Sequence, residues 1–414
     1  MNLGKSKSGA AGLINVWTIV AGVVIIIGGF LIGLVTPGIL PVQASSEAAQ
    51  VDELFRWLLT IGGAIFLLVE GLLLYSVIRF RRKPGDDSDG PPIHGNVTLE
   101  LIWTGIPAII VLFLVIYSYS VWVDIRAPKS DEMVVRAVGQ RYNWAFTYTD
   151  PLNRLTNVEQ QTFTDSVLHT YVGRPVLLEM ETRDVNHAFW VPTMRIKQDL
   201  LAGRTTTIRF TPTREGRYRI VCTELCGGGH GAMYSFIEVH PDETSYLAAF
   251  IDPRVDLILN PPADPVLQGA ALLAQNIYPC SGCHVLADED NGIAWSGLTG
   301  PSLQAIGETA QRRAGPSGQA NAAEYIAHSI RHPNDYIVPG FAAGLMPQFG
   351  PFAQQPADWS ASEGAYYYPM SDDDLVRIVS YLCTRTSTGE NACGEDPVER
   401  DALIQEAVAV QREQ

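Results

Sequence analysis

The segment Cys222 to Met233, Cys-Thr-Glu-Leu-Cys-Gly-Gly-Gly-His-Gly-Ala-Met, contains two thiols, an imidazole and a thioether in one short loop. Thiolate, thioether and imidazole ligands together favour copper over calcium or magnesium. A copper site with one thiolate needs only one cysteine, so the two cysteines indicate two coppers whose sulfurs bridge both metals. His187, in the apolar run Asp184–Pro192, is the candidate for a further imidazole.

Two other interpretations of these cysteines stay open at this point. One is a disulfide between Cys222 and Cys226, and the other is a zinc site with two cysteines and two histidines. Neither interpretation uses Met233, whereas the copper interpretation does.

A second motif, Cys280-Ser-Gly-Cys283-His284, has the C-x-x-C-H pattern of covalent haem attachment. In such a motif the thiols form thioethers to the haem vinyl groups and the histidine ligates the iron. A chance occurrence is the alternative. The helix-like run Val266–Asn276 immediately before the motif favours a cytochrome.

The copper loop resembles that of subunit II of the haem-copper cytochrome c oxidases, Cys-x-Glu-x-Cys-Gly-x-x-His-x-x-Met, at every specified position. The resemblance extends over roughly residues 51 to 242. It implies a binuclear copper A centre held by the side chains of five residues: His187, Cys222, Cys226, His230 and Met233. It also implies that Glu224 binds copper by its backbone carbonyl. The side chain of Glu224 resembles the family residue that helps bind magnesium or manganese at the interface with subunit I.

The carboxy-terminal part resembles the class I cytochrome c domain that is fused to subunit II in certain bacterial oxidases. This resemblance implies a second axial ligand after the C-x-x-C-H motif, and Met346 in Gly-Leu-Met-Pro fits that pattern. Met370 is the competing ligand, while His328 and His332 are weaker competitors. After the capping Ser371 and its acidic first turn we expect the terminal helix, up to residue 382.

The run Gly139–Tyr148 is similar to the aromatic strand of the family, with one departure. The exposed tryptophan that receives electrons from soluble cytochrome c is replaced here by Tyr142. Either this tyrosine serves as the stacking platform for electron uptake, or the donor does not dock there. Trp144 matches a family tryptophan and is equally well explained as core of the sandwich.

Three apolar runs precede residue 124, at residues 14–35, 54–78 and 99–123. The last two are each long enough to cross a bilayer. The basic cluster Arg79–Lys83 between them should stay cytoplasmic, which directs everything after about residue 125 to the outer side. Residues 1–44 are either a signal peptide, since Val42-Gln-Ala44 has the character of a cleavage site, or an additional transmembrane helix.

Glu70 and Glu100 are the acids associated with these spans, where an ionisable group is a functional candidate. Residues 99–107 resemble the start of the family's second helix, where the matching glutamate lies at the mouth of a proton path into subunit I. Glu100 is therefore the proton-uptake candidate, with a solvated helix cap as the alternative. For Glu70 we favour an inter-helix hydrogen bond.

The predicted fold is multidomain. A transmembrane helical hairpin (51–125) is followed by an all-β cupredoxin Greek-key sandwich (130–242), because short alternating strands with Gly/Pro turns are typical of a sandwich. A linker (243–265), an all-α cytochrome c domain (266–390) and a tail (391–414) complete the chain. The strands of the sandwich are predicted at residues 133–138, 144–148, 176–181, 205–211, 217–221 and 235–239. Cys383 and Cys393 lie beyond the terminal helix, where a local disulfide fits an oxidising compartment.

The net charge of −15 argues against nucleic acid as a partner. It suits a basic protein donor attracted by long-range steering, or simply a solvated acidic surface. The resemblance implies a subunit of a proton-translocating oxidase in the bacterial inner membrane, with subunit I and other oxidase subunits as partners. Electrons would pass from an external donor, such as cytochrome c or another respiratory redox protein, through haem c and copper A to subunit I for oxygen reduction. A copper A nitric oxide reductase and a membrane-anchored electron carrier without a catalytic partner are the alternatives.

Overall fold

The computed structural model describes residues 16–82, 84–85, 95–158, 161–275, 277–297, 299–350 and 367–412. Three predicted features lie partly or wholly outside these ranges: the start of the 1–44 segment, Lys83 of the basic cluster and Asn276. The chain forms two compact units. One consists of Met1–Gln43 and Glu47–Ala127, and the other of Ala44–Ser46 and Pro128–Gln414.

The first unit is built from three long apolar helices, α1 (Val16–Ile39), α2 (Ser46–Arg79) and α3 (Val97–Arg126). Each has a stretch long and apolar enough to cross a membrane, and the stretch in α1 is Val20–Ile39. The helices α2 and α3 extend the two predicted spans at both ends. Their outward faces carry large exposed apolar side chains, as lipid contact requires.

Helix α1 approaches α2 through small residues. A Cβ added at Gly33 would collide with the hydroxyl of Thr60, and one at Gly29 would lie 2.8 Å from the carbonyl oxygen of Thr60. Gly29 and Gly33 are spaced as in the G-x-x-x-G motif, which lets membrane helices pack backbone to backbone. Residues 16–39 therefore form a helix that packs closely against α2.

The second unit begins with a sandwich of two five-stranded sheets. The first sheet has the order β3-β2-β1-β5-β8, and the second has the order β4-β10-β9-β6-β7. The strand bounds are β1 Met133–Gln140, β2 Asn143–Thr149, β3 Thr162–Asp165, β4 Leu168–Tyr171, β5 Val176–Thr182, β6 His187–Val191, β7 Ile196–Leu200, β8 Thr206–Phe210, β9 Gly216–Cys222 and β10 Tyr234–His240.

Alternation of side chains explains why these segments form strands. In β5, Val176, Leu178 and Met180 are fully buried while Glu179 between them is exposed, so one face of the strand packs into the core. All six predicted strands are present with bounds shifted by one or two residues. The strands β3, β4 and β7 were not predicted, and β6 lies inside the apolar run that contains His187.

The segment between the sandwich and the last helical region is largely helical, so the prediction of a linker over residues 243–265 was wrong for most of its length. Helix α4 (Glu243–Tyr246), a π-helical turn (Leu247–Ile251) and α5 (Asp252–Leu259) follow one another. Tyr246, Phe250 and Val255 bury their side chains in the core of the sandwich. Apolar residues at helical spacing therefore attach this segment to the sandwich, and only residues 260–264 connect freely to the next helix.

The carboxy-terminal region is helical around its own hydrophobic core. Its helices are α6 Pro265–Ala274, α7 Ile306–Ala314, α8 Ala322–Arg331, α9 Asp372–Cys383 and α10 Pro397–Val410, and its short strands are β11 Val285–Asp288, β12 Ile293–Ser296, β13 Gln348–Gly350 and β14 Tyr367–Pro369. Helices α6 and α9 cross at Gly269, where a Cβ would collide with the carbonyl of Arg377. Ser371 caps α9 by accepting a hydrogen bond from the backbone N–H of Asp374, as predicted.

Residues 391–414 are not a tail, because α10 belongs to the helical core. Ile404, Ala407 and Val408 are buried there. A disulfide joins Cys383 at the end of α9 to Cys393 before α10, in agreement with the predicted pairing. Apolar residues at helical spacing after a capping aspartate, Asp396, mark this helix in the sequence.

Candidate functional site

The copper-binding candidates converge where two neighbouring strands end. Strand β6 begins at His187, β9 ends at Cys222, and the two strands pair side by side. The backbone N–H of Cys222 donates to the carbonyl of Met233 at 3.1 Å, which closes the loop between them. The sheet therefore holds one histidine and both ends of the loop at the same edge.

Inside this loop the ligand atoms lie within contact distance of one another. The Sγ of Cys222 is 3.8 Å from Nδ1 of His187 and 3.9 Å from Sγ of Cys226. The Sγ of Cys226 is 3.5 Å from Nδ1 of His230 and 3.8 Å from Sδ of Met233. Two sulfurs at the centre with one imidazole on each side form the donor set of a binuclear copper centre, so the residues fit the group.

The pKa values of the two cysteine thiols are shifted in opposite directions. The pKa of the Cys222 thiol is lowered by a hydrogen bond from Cys226 and, despite burial, by further hydrogen bonds that include one from His187. The neighbouring Cys226 thiol has its pKa raised, because it donates the hydrogen bond to Cys222 only while protonated, and burial and the negative charge of Cys222 raise the pKa further. A cation placed between them would remove this conflict, since it stabilises both thiolates.

Asp184 is a functional residue that the sequence reasoning missed. Its Oδ1 lies 2.8 Å from Nε2 of His187, and its Oδ2 accepts a hydrogen bond from the backbone N–H of Arg141 at 2.8 Å. The carboxylate thus holds the Nε2 proton and leaves Nδ1, which faces Cys222, free to bind metal. Burial alone would raise the pKa of Asp184, but the hydrogen bonds from His187 and Arg141 outweigh it and lower that pKa.

Glu224 and Tyr142 both lie at the backbone of the copper loop. The carbonyl oxygen of Glu224 is 3.3 Å from Sγ of Cys222, and its side chain is exposed to solvent. The ring of Tyr142 rests on Gly227 and Gly229, since a Cβ at Gly227 would lie 2.5 Å from the tyrosine hydroxyl and one at Gly229 would collide with the ring. Trp144 is almost fully buried and packs edge-on against Phe189, which fits its role as sandwich core.

The C-x-x-C-H motif borders a mostly apolar cavity in the helical region. Cys280, Cys283 and His284 line it together with both candidate methionines, Met346 and Met370. Nδ1 of His284 lies 2.7 Å from the carbonyl oxygen of Pro301 and donates to it, so Nε2 is the atom left for a metal. The apolar lining, two thiols and an oriented imidazole make this cavity suited to a covalently attached haem.

The two methionines differ in how they are held. Met370 is 1% exposed, and its backbone N–H donates to the carbonyl of Gly350 at 2.7 Å. Met346 is half-buried in a turn between helices. His328 does not line the cavity, because its Nδ1 lies 2.9 Å from Oε1 of Gln411 and its Nε2 lies 3.2 Å from Asp335.

A cleft lies between the sandwich and the helical region beside the C-x-x-C-H motif. Tyr142 and Asn143 line it from the sandwich, while Cys283, Thr299 and Pro347 line it from the other side. The copper loop, through Tyr142, and the haem-attachment motif therefore face the same cleft.

Glu100 lies in the first turn of α3. Its Oε1 accepts a hydrogen bond from the backbone N–H of Asn96 at 3.3 Å, and Oδ1 of Asn96 accepts one from Leu99 at 3.1 Å. These reciprocal contacts are those of a helix cap. The side chain is exposed, so capping leaves it able to exchange protons with water.

Comparisons with known proteins agree with this geometry. Residues 33–121 match the transmembrane domain of cytochrome c oxidase subunit II, and residues 133–240 match its periplasmic domain. The chain is 37% identical to cytochrome c oxidase subunit 2 of Thermostichus vulcanus, over 55% of this chain and 83% of that protein. It is 36% identical to the Synechocystis subunit 2, over 55% of this chain and 80% of that protein.

Among solved structures, the periplasmic domain of subunit II of the Bradyrhizobium japonicum cytochrome oxidase is 25% identical, with a TM-score of 0.24, over 30% of this chain and 94% of that one. The matched transmembrane and periplasmic domains, with the apolar helices, make this a membrane-anchored protein whose later domains lie on the outer side. The chain belongs to the cytochrome c oxidase subunit II family, so it is the subunit through which electrons enter an oxidase complex containing subunit I, and its periplasmic domain implies a copper A site.

Proposed function

We propose that this subunit takes electrons from an external donor at a covalent haem c and passes them by way of copper A to subunit I, which reduces oxygen to water. When bound, both groups supply one-electron carriers on the outer side of the membrane. The observation that carries the proposal is the shared cleft, which the C-x-x-C-H motif and Tyr142 beside the copper loop line from opposite sides. A haem tethered in this way replaces diffusional docking by an intramolecular step.

The proposed copper ligands are the side chains of His187, Cys222, Cys226, His230 and Met233, with the carbonyl of Glu224. The short distances between their donor atoms support this set. Asp184 orients His187 for metal binding. The exposed carboxylate of Glu224 points away from the thiols and is free to contribute to a magnesium or manganese site shared with subunit I.

The proposed haem ligands are Cys280 and Cys283 through thioethers, and His284 and Met346 through the iron. The hydrogen bond from His284 to Pro301 fixes the imidazole with Nε2 directed away from the backbone. The backbone N–H and the carbonyl of Met370 both make hydrogen bonds, and its side chain is buried by packing. The burial of Met370 is therefore explained without a bond to iron, so Met346 is favoured as the ligand. Histidine and methionine together hold the haem potential high enough to accept electrons from respiratory donors.

Tyr142 is proposed to lie between the haem and copper A, and not where the external donor docks. Because it lines the cleft between the two domains, its ring faces this chain's own cytochrome domain. A soluble donor such as a cytochrome c would then dock on the cytochrome domain, and the net charge of −15 would attract a basic one. Glu100 keeps its proposed role in proton uptake at the cytoplasmic surface, since its cap contact leaves the carboxyl group exposed.

Metal and haem analysis of the purified oxidase complex tests these assignments. In the soluble part of this chain, from about residue 130, we expect two coppers and one covalent haem, apart from the metals and haems of subunit I. A single copper there, or zinc in its place, would contradict the binuclear centre, and release of the haem from this part on acid extraction would contradict the covalent attachment. Turnover with oxygen and with nitric oxide on the same preparation identifies the terminal acceptor.

A further inference from the structure

Arg254 in α5 lies where the sandwich, the connecting helix and the first cytochrome helix meet. Its side chain is 6% exposed, and it pairs with Asp165, which is fully buried at the end of β3. The same guanidinium donates to the carbonyl of Gln275 at the end of α6. One buried cation thus contacts the sandwich and the cytochrome domain at once.

The orientation of this arginine is fixed from several sides. Its Nη1 donates to the carbonyl of Phe250 at 3.2 Å, and its guanidinium lies 4.1 Å from the centre of the Phe250 ring. The amide of Gln275 donates back to the carbonyl of Pro253 at 3.3 Å. A planar guanidinium suits such a site, because it offers several donors in a rigid fork.

The rest of the junction offers less restraint. Ala145 and Leu257 pack on the cytochrome core, but the large cleft beside them is not filled by side chains. The amide of Asn143, which lines this cleft, finds no hydrogen-bond partner among the described residues. The relative placement of the two domains therefore depends strongly on the contacts of Arg254.

These contacts lie close to both redox sites along the chain. Gln275 precedes Cys280 of the haem-attachment motif by five residues. Ser166, next to Asp165, accepts a hydrogen bond from the hydroxyl of Ser235, which follows Met233 of the copper loop by two residues. A displacement of Arg254 would therefore move the haem-attachment motif relative to the copper loop.

We propose that Arg254 is a positioning residue that sets the distance between the haem-attachment motif and the copper loop. It rests on the proposed function for its consequence, because that distance governs electron transfer only if both cofactors are bound. Removing one partner of a buried ion pair leaves the other charge uncompensated and lowers stability, whereas the intact pair can fix a unique arrangement. The positioning role of Arg254 is therefore measured by geometry, because a loss of stability alone would not identify it.

The test compares Arg254→Gln with Arg154→Gln in the full chain within the purified oxidase complex. Arg154 is the matched control, because it pairs with Asp252 of the same helix at 2.8 Å and with Asp150 of the sandwich, and neither partner belongs to the cytochrome domain. Three readouts are needed: hydrogen exchange of residues 277–284, the dipolar distance between ferric haem and mixed-valence copper, and the rate of electron transfer between them.

For Arg254→Gln we expect faster exchange, a longer or broader distance distribution and unchanged haem and copper spectra. The rate of electron transfer between haem and copper should fall, because tunnelling between two cofactors weakens as the distance between them grows. Arg154→Gln should match the wild type in all three. Wild-type exchange and distance in Arg254→Gln would overturn the proposal.

If Arg254→Gln does not assemble, Asp165→Asn takes its place with the same expectations, because it keeps the size of the side chain and removes its charge. Absence of covalent haem or of the copper pair in the wild type would overturn the proposed function instead. The exchange measurement needs neither cofactor signal, so it then decides the positioning role by itself.

Discussion

Met346 and Met370 both line the haem cavity, and truncating each to alanine separates ligation from packing. Met370 is almost fully buried, and truncating a buried methionine costs about 2–5 kcal/mol of unfolding free energy. Met346 is half-buried, so its packing contributes about 1 kcal/mol, in addition to any bond to iron. Met346→Ala should therefore have the larger effect on the haem spectrum, and Met370→Ala the larger effect on the free energy of unfolding.

We expect Met346→Ala to lose the long-wavelength iron–sulfur absorption band of the oxidised haem. Met370→Ala should keep the band and show the larger packing loss in denaturant unfolding followed by haem absorption. Leu345→Ala, at another half-buried position of the same cavity lining, is the control and should keep the band. Loss of the band in Met370→Ala with its retention in Met346→Ala would refute the assignment and make Met370 the ligand.

Three further changes test other parts of the chain. Cys222→Ser should remove the mixed-valence optical and spin-resonance signature of the copper pair, because it deletes a bridging thiolate; an intact signature would mean that Cys222 is not a bridge. Glu100→Gln should leave the reduction of copper and haem by an external donor unchanged in stopped flow but lower oxygen consumption about tenfold. This loss is smaller than the usual 10²–10⁴-fold contribution of a general acid or base, because water can bypass the carboxyl group. A parallel fall in both rates would make Glu100 structural. Burial alone would raise the pKa of Asp288, but hydrogen bonds from Tyr381 and Asn291 and the charge of Arg385 lower that pKa. The Asp288 carboxylate therefore stabilises the fold above the ordinary carboxyl pKa, and this stabilisation is lost as the pH falls through the lowered pKa. Asp288→Asn should cost about 2 kcal/mol at neutral pH and flatten the acid side of the stability profile, and an unchanged profile would contradict this.

Much of the sandwich could be predicted because several of its strands, such as β9 and β10, alternate more and less buried residues over seven positions. Strands β3 and β4 have four residues each, too few for a period of two to stand out. The connecting helix α5 escaped prediction for another reason. Pro253, Pro261 and Pro262 mark the segment as a linker, while the burial of Phe250 and Val255 depends on contacts with distant strands.

The copper loop was predictable because all of its proposed ligands except His187 lie close together between Cys222 and Met233, and each side-chain ligand is of a distinctive type. Asp184 and Arg254 were not, because common residues acquire their roles only through neighbours that folding brings to them. Asp184 lies three residues before His187, and that spacing was the one local signal for its contact. The partner of Arg254, Asp165, is 89 residues away, and no local pattern indicates the pair.

The three cysteine pairs of this chain set a problem for its biogenesis. One pair, Cys383 and Cys393, is oxidised, whereas Cys222 and Cys226 lie 3.9 Å apart as thiols. All three pairs must mature in the same compartment, and a disulfide between Cys222 and Cys226 would consume both thiolates that the copper pair needs. With the proposed copper and haem sites, the order in which oxidant, copper and haem reach the exported chain decides whether both sites form. A cell that makes such a subunit then has to keep two thiol pairs reduced while it oxidises the third.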